Sequence, residues 1–279
     1  MRVLVATTAG SGHFGPLVPF ARALVDRGHD VVVAAPASFA AAVDRAGFVH
    51  QPFADAPAEE LGAVFGRLRA MSYDEANATV VREVFGRIDT RAALPEMQAF
   101  VERWRPELVV REPSEFSSYI AAEAAGVPHV QVCVGLAAFE DRIARLVEEP
   151  IEALGGKGAG AGLRSVPRLS LVPPTFEDPS APGLALLRFR ADDASAAGGP
   201  LPDWWRGLSG PLVYVTFGSV AANLGLFPDL YRAAAAALAG LPIRVLLTVG
   251  DAGDPALIGS LPDNVHVETW WPQQDVMAH

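Results

Sequence analysis

Short, wholly apolar runs alternate with longer amphipathic stretches through the first half of the chain, and that alternation leaves few folds open. A run that is apolar at every position suits a parallel strand buried on both faces, and a helix between consecutive runs supplies the crossover. Strands are expected over 2–7, 30–35, 48–53, 107–112 and 129–134, and helices over 16–27, 38–46 and 114–125. Pro16 suits a first helical position, Pro19 must lie in the same first turn, and Gly28 closes that helix. Residues 57–104 carry no strand pattern and read as several helices. Within them Leu61, Val64, Phe65 and Leu68 recur at helical spacing, as a face that packs on the sheet or lines an apolar pocket.

Past this region, GGKGAGAG (155–162) reads as a flexible low-complexity loop, and the Pro-rich run to Pro202 shows little periodic structure. A second block then supplies strands over 212–217, 243–249 and 264–270 and a helix over 228–239. Two such blocks joined by a Pro/Gly-rich connection imply an α/β protein of two Rossmann-like domains. Residues 1–190 form the first, 191–210 a linker, and 211–279 the start of the second. Three candidate strands are too few for a doubly wound sheet, so the second domain is expected to be incomplete in this chain.

With 51 % hydrophobic and 19 % charged residues the chain has ample core material, which argues against disorder. A net charge of −10 argues against nucleic acid or an anionic membrane as partner. Cys133 is the one cysteine, so an intrachain disulfide and a multi-cysteine metal site are excluded; its flanks, HVQVCVG, make it a small apolar residue of a buried strand. No basic-then-apolar leader opens the chain and no apolar run is long enough to span a bilayer, so a cytoplasmic protein is expected.

The first apolar run leads into GSGHFG, Gly10 to Gly15, whose spacing is that of a dinucleotide-binding turn. Such a turn also needs an acidic residue at the end of the second strand to hold a ribose hydroxyl. That strand ends Ala34-Ala35-Pro36, and Asp30 lies at its other end, so the nicotinamide reading fails. What remains is His13, exposed on a glycine-rich loop at the C-terminal edge of the first strand. With strand order 3-2-1-4-5 the first strand lies beside the fourth, which ends in Glu112. A carboxylate on one imidazole nitrogen fixes the tautomer and supports the imidazolium formed when the other nitrogen takes a proton, which is the apparatus of a general base. Spacing alone leaves open that His13 caps a helix or faces solvent while Glu112 pairs with an arginine. Glu115 is a second candidate carboxylate, disfavoured because it is expected inside the next helix. His29, His50, His129 and His266 fall at strand starts and ends and read as structural.

GHFGPLVPFARALVDRGHDV, RPELVVRE…AAEAAGVP around Glu112, PLVYVTFGS and VETWWPQQDVMAH follow one another along the whole chain. In that order they make the sequence resemble the nucleotide-sugar glycosyltransferases of GT-B fold, and especially the bacterial branch that decorates antibiotics, such as the enediyne glycosyltransferases. The resemblance implies two Rossmann-like domains facing a cleft, the N-terminal one holding the acceptor and the C-terminal one the nucleotide sugar. It carries over His13 as the base that deprotonates the acceptor hydroxyl and Glu112, where many relatives have Asp, as its orienting acid. Gly218 and Ser219 match the loop that meets the donor diphosphate. Trp270 matches the aromatic that stacks on the nucleobase and Gln273 a polar contact beside it, while Trp271 stands where a small aliphatic residue is usual. In the family, further β/α units follow the PQ segment, beginning with a His-Gly-Gly phosphate loop. The sequence ends at His279 before any of these, so a missing C-terminal part is expected.

The implied activity is an inverting, metal-independent transfer of a sugar, such as a deoxysugar, from a dTDP- or UDP-linked donor to a hydroxyl of a lipophilic natural product. The nucleotide sugar is the co-substrate, and no other cofactor is expected. No Asp-x-Asp motif lies near the donor region, although Asp192-Asp193 adjoins the linker. The alternative is a non-catalytic small-molecule-binding remnant of such an enzyme, because the donor phosphate loop is absent. Acceptor-binding residues and oligomeric state stay open.

Overall fold

The computed structural model describes the chain except residues 69, 178–185, 191–200, 219–220, 225, 251–252 and 278. Ser219, Asp192 and Asp193 therefore lie outside the described residues. The chain divides into two compact units, Met1–Ala191 and Asp192–His279.

The first unit is built on a parallel sheet of seven strands: β1 (Arg2–Ala6), β2 (Asp30–Pro36), β3 (Val49–Phe53), β4 (Leu108–Arg111), β5 (His129–Val132), β6 (Arg168–Ser170) and β7 (Leu186–Arg188). Their order is β3-β2-β1-β4-β5-β6-β7, the expected 3-2-1-4-5 arrangement extended by two strands. Continuous apolar runs are needed because successive side chains enter opposite faces, each covered by helices. Val3, Val5, Val31 and Val33 pack with Phe14, Leu17 and Ala21 on one face. Leu4, Ala6, Val32 and Ala34 meet Met97, Phe100 and Ala121 on the other.

The region over 57–104 folds into helices Ala58–Leu68 and Tyr73–Thr79, a π-helical segment Val80–Asp89, and a helix Thr90–Trp104. Ser72 and Glu75 form a reciprocal capping box at the second of these. Leu61, Val64 and Leu68 pack against Val84 and Ile88 of the π-helical segment and not on the sheet.

Residues 155–162 are not a loose loop. Ala159–Ser165 is a helix that buries Ala159 and Leu163 against Tyr119, Ile120 and Ile151. The glycines serve close approach: a Cβ on Gly156 would stand 2.6 Å from Ile151 Cγ2, and one on Gly162 would strike the Tyr119 hydroxyl. Composition alone does not separate a flexible glycine run from one required by packing. The Pro-rich stretch likewise holds β6 and β7, each only three residues long and carrying an arginine. Pairing to an existing sheet edge, rather than any apolar pattern, makes them strands. Cys133 is buried just past β5, its amide donating to Leu169 O at 2.7 Å.

The second unit has a three-stranded parallel sheet of β8 (Leu212–Thr216), β9 (Arg244–Thr248) and β10 (Val265–Glu268) in the order β10-β9-β8. One face packs Val245, Leu247 and Val267 against Tyr231 and Ala235 of the helix Asp229–Ala237. On the other face Trp205 is buried with Leu246 and Val276, its Nε1 donating to Val245 O at 3.3 Å. Trp204 stacks on His266 at 4.4 Å, and Trp271 meets Trp204 edge-on at 4.8 Å. Among the described residues no helix is long and apolar enough to cross a membrane.

Candidate active site

The site in the first unit forms where β1 and β4 end side by side, with Ala6 paired to Arg111. After β1 the chain turns at Gly10, whose φ of 128° lies in the left-handed region that a side chain resists. Gly12 and Gly15 face open space, so only the first glycine of GSGHFG is demanded by geometry. The turn delivers His13 onto the helical turn Ser11–Phe14, not onto a loop as expected. Helix begins five residues before Pro16 and continues through Gly15–Leu17 into Val18–Asp26. Both prolines fall near the starts of helical segments, where their missing N–H groups do least harm.

His13 and Glu112 are brought together: Nδ1 of His13 lies 2.9 Å from Oε2 of Glu112, with the side chains 26 % and 0 % exposed. Glu112 stands one residue beyond β4 and accepts from three further groups. The amide and hydroxyl of Thr8 donate to Oε1 at 3.1 and 3.0 Å, and the Ser114 amide donates to Oε2 at 2.8 Å. Burial alone would push the Glu112 carboxyl up, but His13 and these amides together hold it below its ordinary value. An ionised carboxylate only accepts, so His13 donates from Nδ1 and keeps Nε2 as the free acceptor of the neutral ring. Burial opposes charge on His13 as well. The Glu112 charge and hydrogen bond, with a smaller contribution from Asp89, outweigh it and raise the imidazole above its ordinary value.

The two other carboxylate partnerships left open by the sequence resolve geometrically. Arg111, wholly buried, donates to the Glu112 backbone carbonyl at 3.1 Å and to Gln131 Oε1 at 2.8 Å, leaving the Glu112 side chain to His13. Glu115 precedes the helix Ser117–Ala125 instead of lying within it. Its Oε1 accepts from the Ser117 amide at 2.9 Å, and Oε2 accepts from the Ser118 amide at 3.1 Å, so it satisfies the helix start.

Beside this pair lies a cavity of about 240 Å³. Phe53, Leu61, Phe65 and Phe85 give it an apolar wall, and the Phe85 ring stands 5.4 Å from that of His13. Thr8 and Ser114, both donors to Glu112, line it too, as do Asp55, Asp89 and Glu115. Burial first, then the nearby Glu112, Glu115 and Asp55 charges, push the Asp89 carboxyl up to about 7 against the opposing pull of His13. Asp89 and Arg111 were not legible as site residues. A charged residue ending the apolar run LVVRE is a signal for Arg111, whereas Asp89 is marked only by its helical spacing of four from Phe85.

The donor-side candidates occupy the C-terminal edge of the second sheet. Gly218, at φ 80°, follows β8 and donates its amide to Thr216 Oγ1 at 3.2 Å. Trp270 follows β10 with 58 % of its surface exposed, and the exposed Gln273 opens the helix Gln273–Met277. β8 and β10 flank β9, so about 10 Å of sheet separates Gly218 from Trp270. Trp271 instead joins the aromatic cluster with Trp204.

The four histidines read as structural have partners: His29 the chain's amino terminus, His50 the Ala35 carbonyl, His129 Glu123, and His266 Glu268. Among the described residues no group of three or more His, Cys, Asp or Glu side chains gathers as a metal site.

A sequence profile described as "Erythromycin biosynthesis protein CIII-like, N-terminal domain" matches residues 22–157. Along its whole length the chain is 27 % identical to 4'-demethylrebeccamycin synthase of Lentzea aerocolonigenes, spanning 76 % of that protein. It is 30 % identical to L-demethylnoviosyl transferase of Streptomyces niveus, over 95 % of this chain and 69 % of the relative. The chain belongs to the antibiotic glycosyltransferases. As a member of that family it is a glycosyltransferase of GT-B fold. The crystal structure of the glycosyltransferase VinC in complex with dTDP superimposes with a TM-score of 0.68 at 25 % identity, covering 98 % of this glycosyltransferase and 72 % of VinC.

Proposed function

We propose that this glycosyltransferase moves a deoxysugar from a dTDP-linked donor to a hydroxyl of a lipophilic natural product, with inversion at the anomeric carbon. The observation that carries the reading is the 2.9 Å contact between His13 and a fully buried Glu112 beside an apolar cavity. The acceptor lies in that cavity with its hydroxyl at Nε2 of His13. As the acceptor oxygen attacks, its proton passes to Nε2, and the anomeric C–O bond breaks with its electron pair leaving on the diphosphate. Glu112 supports the imidazolium so formed. Attack opposite the departing diphosphate in a single displacement inverts the centre. The transition state is oxocarbenium-like, and backbone donors rather than a metal ion stabilise the leaving group.

Trp270 stacks on the nucleobase with Gln273 beside it, and Gly218 with Ser219 meets the diphosphate. The dTDP complex of VinC supports a thymidine nucleotide, and the open face of Trp270 supports stacking. The nucleotide sugar serves as co-substrate without a further cofactor. The test is His13→Ala. Losing a general base costs about 10²–10⁴-fold in rate, so turnover with a dTDP-sugar should collapse while dTDP affinity by calorimetry holds. A loss of less than about tenfold at saturation, well short of that range, removes His13 from the role.

A further inference from the structure

Asp89 is the one acid lining the cavity that has no hydrogen bond or ion pair to its carboxyl among the described residues. Asp55, by contrast, accepts from the Ser38 amide at 3.0 Å and from the Ser38 hydroxyl, and Glu115 accepts from the amides of Ser117 and Ser118. Asp89 ends the π-helical segment, four residues after the phenyl ring that touches His13. It faces Glu112 and His13 at the strand ends, Glu115 after β4 and Asp55 after β3. Two arginines next to it in sequence are engaged elsewhere: Arg87 with Glu83 and Glu149, and Arg91 with Glu60. Among the described residues no lysine or arginine lines the cavity. The half-buried Asp89 carboxyl lines the cavity with no protein donor to it among the described residues, so a ligand hydroxyl placed there gains a hydrogen bond without displacing a protein partner.

We infer that Asp89 positions the acceptor by hydrogen-bonding a second hydroxyl, distinct from the one that receives the sugar, so that the cavity takes neutral polyhydroxylated compounds. The inference rests on the reading of this cavity as the acceptor site. An acceptor carboxylate is excluded by repulsion from Asp55, Glu112 and Glu115. A cationic amine is disfavoured because it would oppose the imidazolium that forms on His13 during transfer. A neutral hydroxyl suits a carboxyl that gains its proton near neutrality, since it either donates to or accepts from Asp89.

The experiment measures equilibrium binding of matched planar probes to the full chain: 1,2-dihydroxyanthraquinone, 2-hydroxyanthraquinone, and their amino and carboxyl counterparts. The dihydroxy compound should bind best. Asp89→Leu should lower its affinity about tenfold to a hundredfold, the range for a hydrogen bond to a charged group, and leave the monohydroxy compound unchanged. Asp89→Asn, which keeps a donor and an acceptor, should restore most of the preference, a rescue that a purely structural residue would not show. Thermal melting identifies a misfolded variant, and Asp89→Asn then carries the comparison against wild type at pH 6 and pH 8. Equal affinities for the two hydroxylated probes, no measurable affinity for either, strongest binding of the amine, or an unaltered preference in Asp89→Leu each overturns the inference. Failure of the base assignment is separable: His13→Ala that retains transfer removes His13 while leaving the binding preference as evidence for Asp89.

Discussion

The acid–base pair of the first unit and the donor-side candidates of the second differ in how tightly the protein holds them. Glu112 is completely buried and takes four hydrogen bonds, one of them from His13. Trp270 and Gln273 stand exposed, and the Gly218 amide bonds only locally, to Thr216. A base must present one tautomer in one orientation at the moment of reaction, so its surroundings fix it beforehand. A stacking face must be open before the nucleotide arrives, and a ring's π-face needs no aligned hydrogen-bond partner. The same fold type therefore builds a rigid site and an open one at the ends of its two sheets.

The sharpest way to break this contrast is Glu112→Gln. Glu112 raises the affinity of His13 for protons, and the proposed base works only when neutral, so activity should fall as pH drops through the raised imidazole value. Removing the charge lowers that value, so the acid limb of kcat/KM should move to lower pH while the plateau drops about 10²-fold. An acid limb that stays in place would mean the rate does not report His13. Nucleotide affinity should not change.

The converse variant is Trp270→Ala, which should weaken dTDP binding by roughly 1–3 kcal/mol, the worth of one base–aromatic stack, without moving the pH profile. Its neighbour provides the control. Trp271→Ala removes a ring packed against Trp204 and should lower the melting temperature, whereas Trp270→Ala should leave it alone. Equal melting shifts for the two tryptophans would erase the distinction between a binding ring and a core ring.

A pH-dependent effect concerns Asp89. Its carboxyl sits at about 7 in the folded chain against an ordinary value of 3.8. A raised acid contributes its full stability below the unfolded value and loses it as pH climbs toward the folded one. Asp89→Asn does not ionise, so its melting advantage over wild type should widen between pH 4 and pH 7 and then level off. A constant gap across that range would show that Asp89 ionises normally.

The smallest expected effect is that of Gly12→Ala. A Cβ there meets nothing within 4 Å, and its stability should change by no more than about 0.5 kcal/mol. Gly10→Ala, at φ 128°, should cost more and disturb His13.

The parts of the fold that follow from continuous apolar runs were legible beforehand, because burial on both faces leaves such runs no other place. That logic also located His13 and Glu112, since adjacent parallel strands bring their C-terminal ends together. It did not extend to β6 and β7, whose strand character comes from a neighbouring edge. Nor did it reach Gly156 and Gly162, whose requirement appears only when Ile151 and Tyr119 are in place. Asp89 was hidden for a related reason. Within an amphipathic helical stretch an aspartate reads as a solvated residue, and only the packing of strand ends and the helix Ala58–Leu68 around it makes it part of a cavity.

Cys133 gives the molecule a practical property. Burial, reinforced by the Glu140 charge, pushes its thiol well above the usual range, and the thiolate is the form that alkylating reagents attack. As the sole sulfhydryl in the sequence, it leaves the folded protein nearly silent to maleimides. A thiol introduced on the surface, for instance by Met277→Cys at the exposed end of its helix, would then be the one reactive position. A fluorophore attached there would report on the surroundings of that helix without any need to mutate the native cysteine.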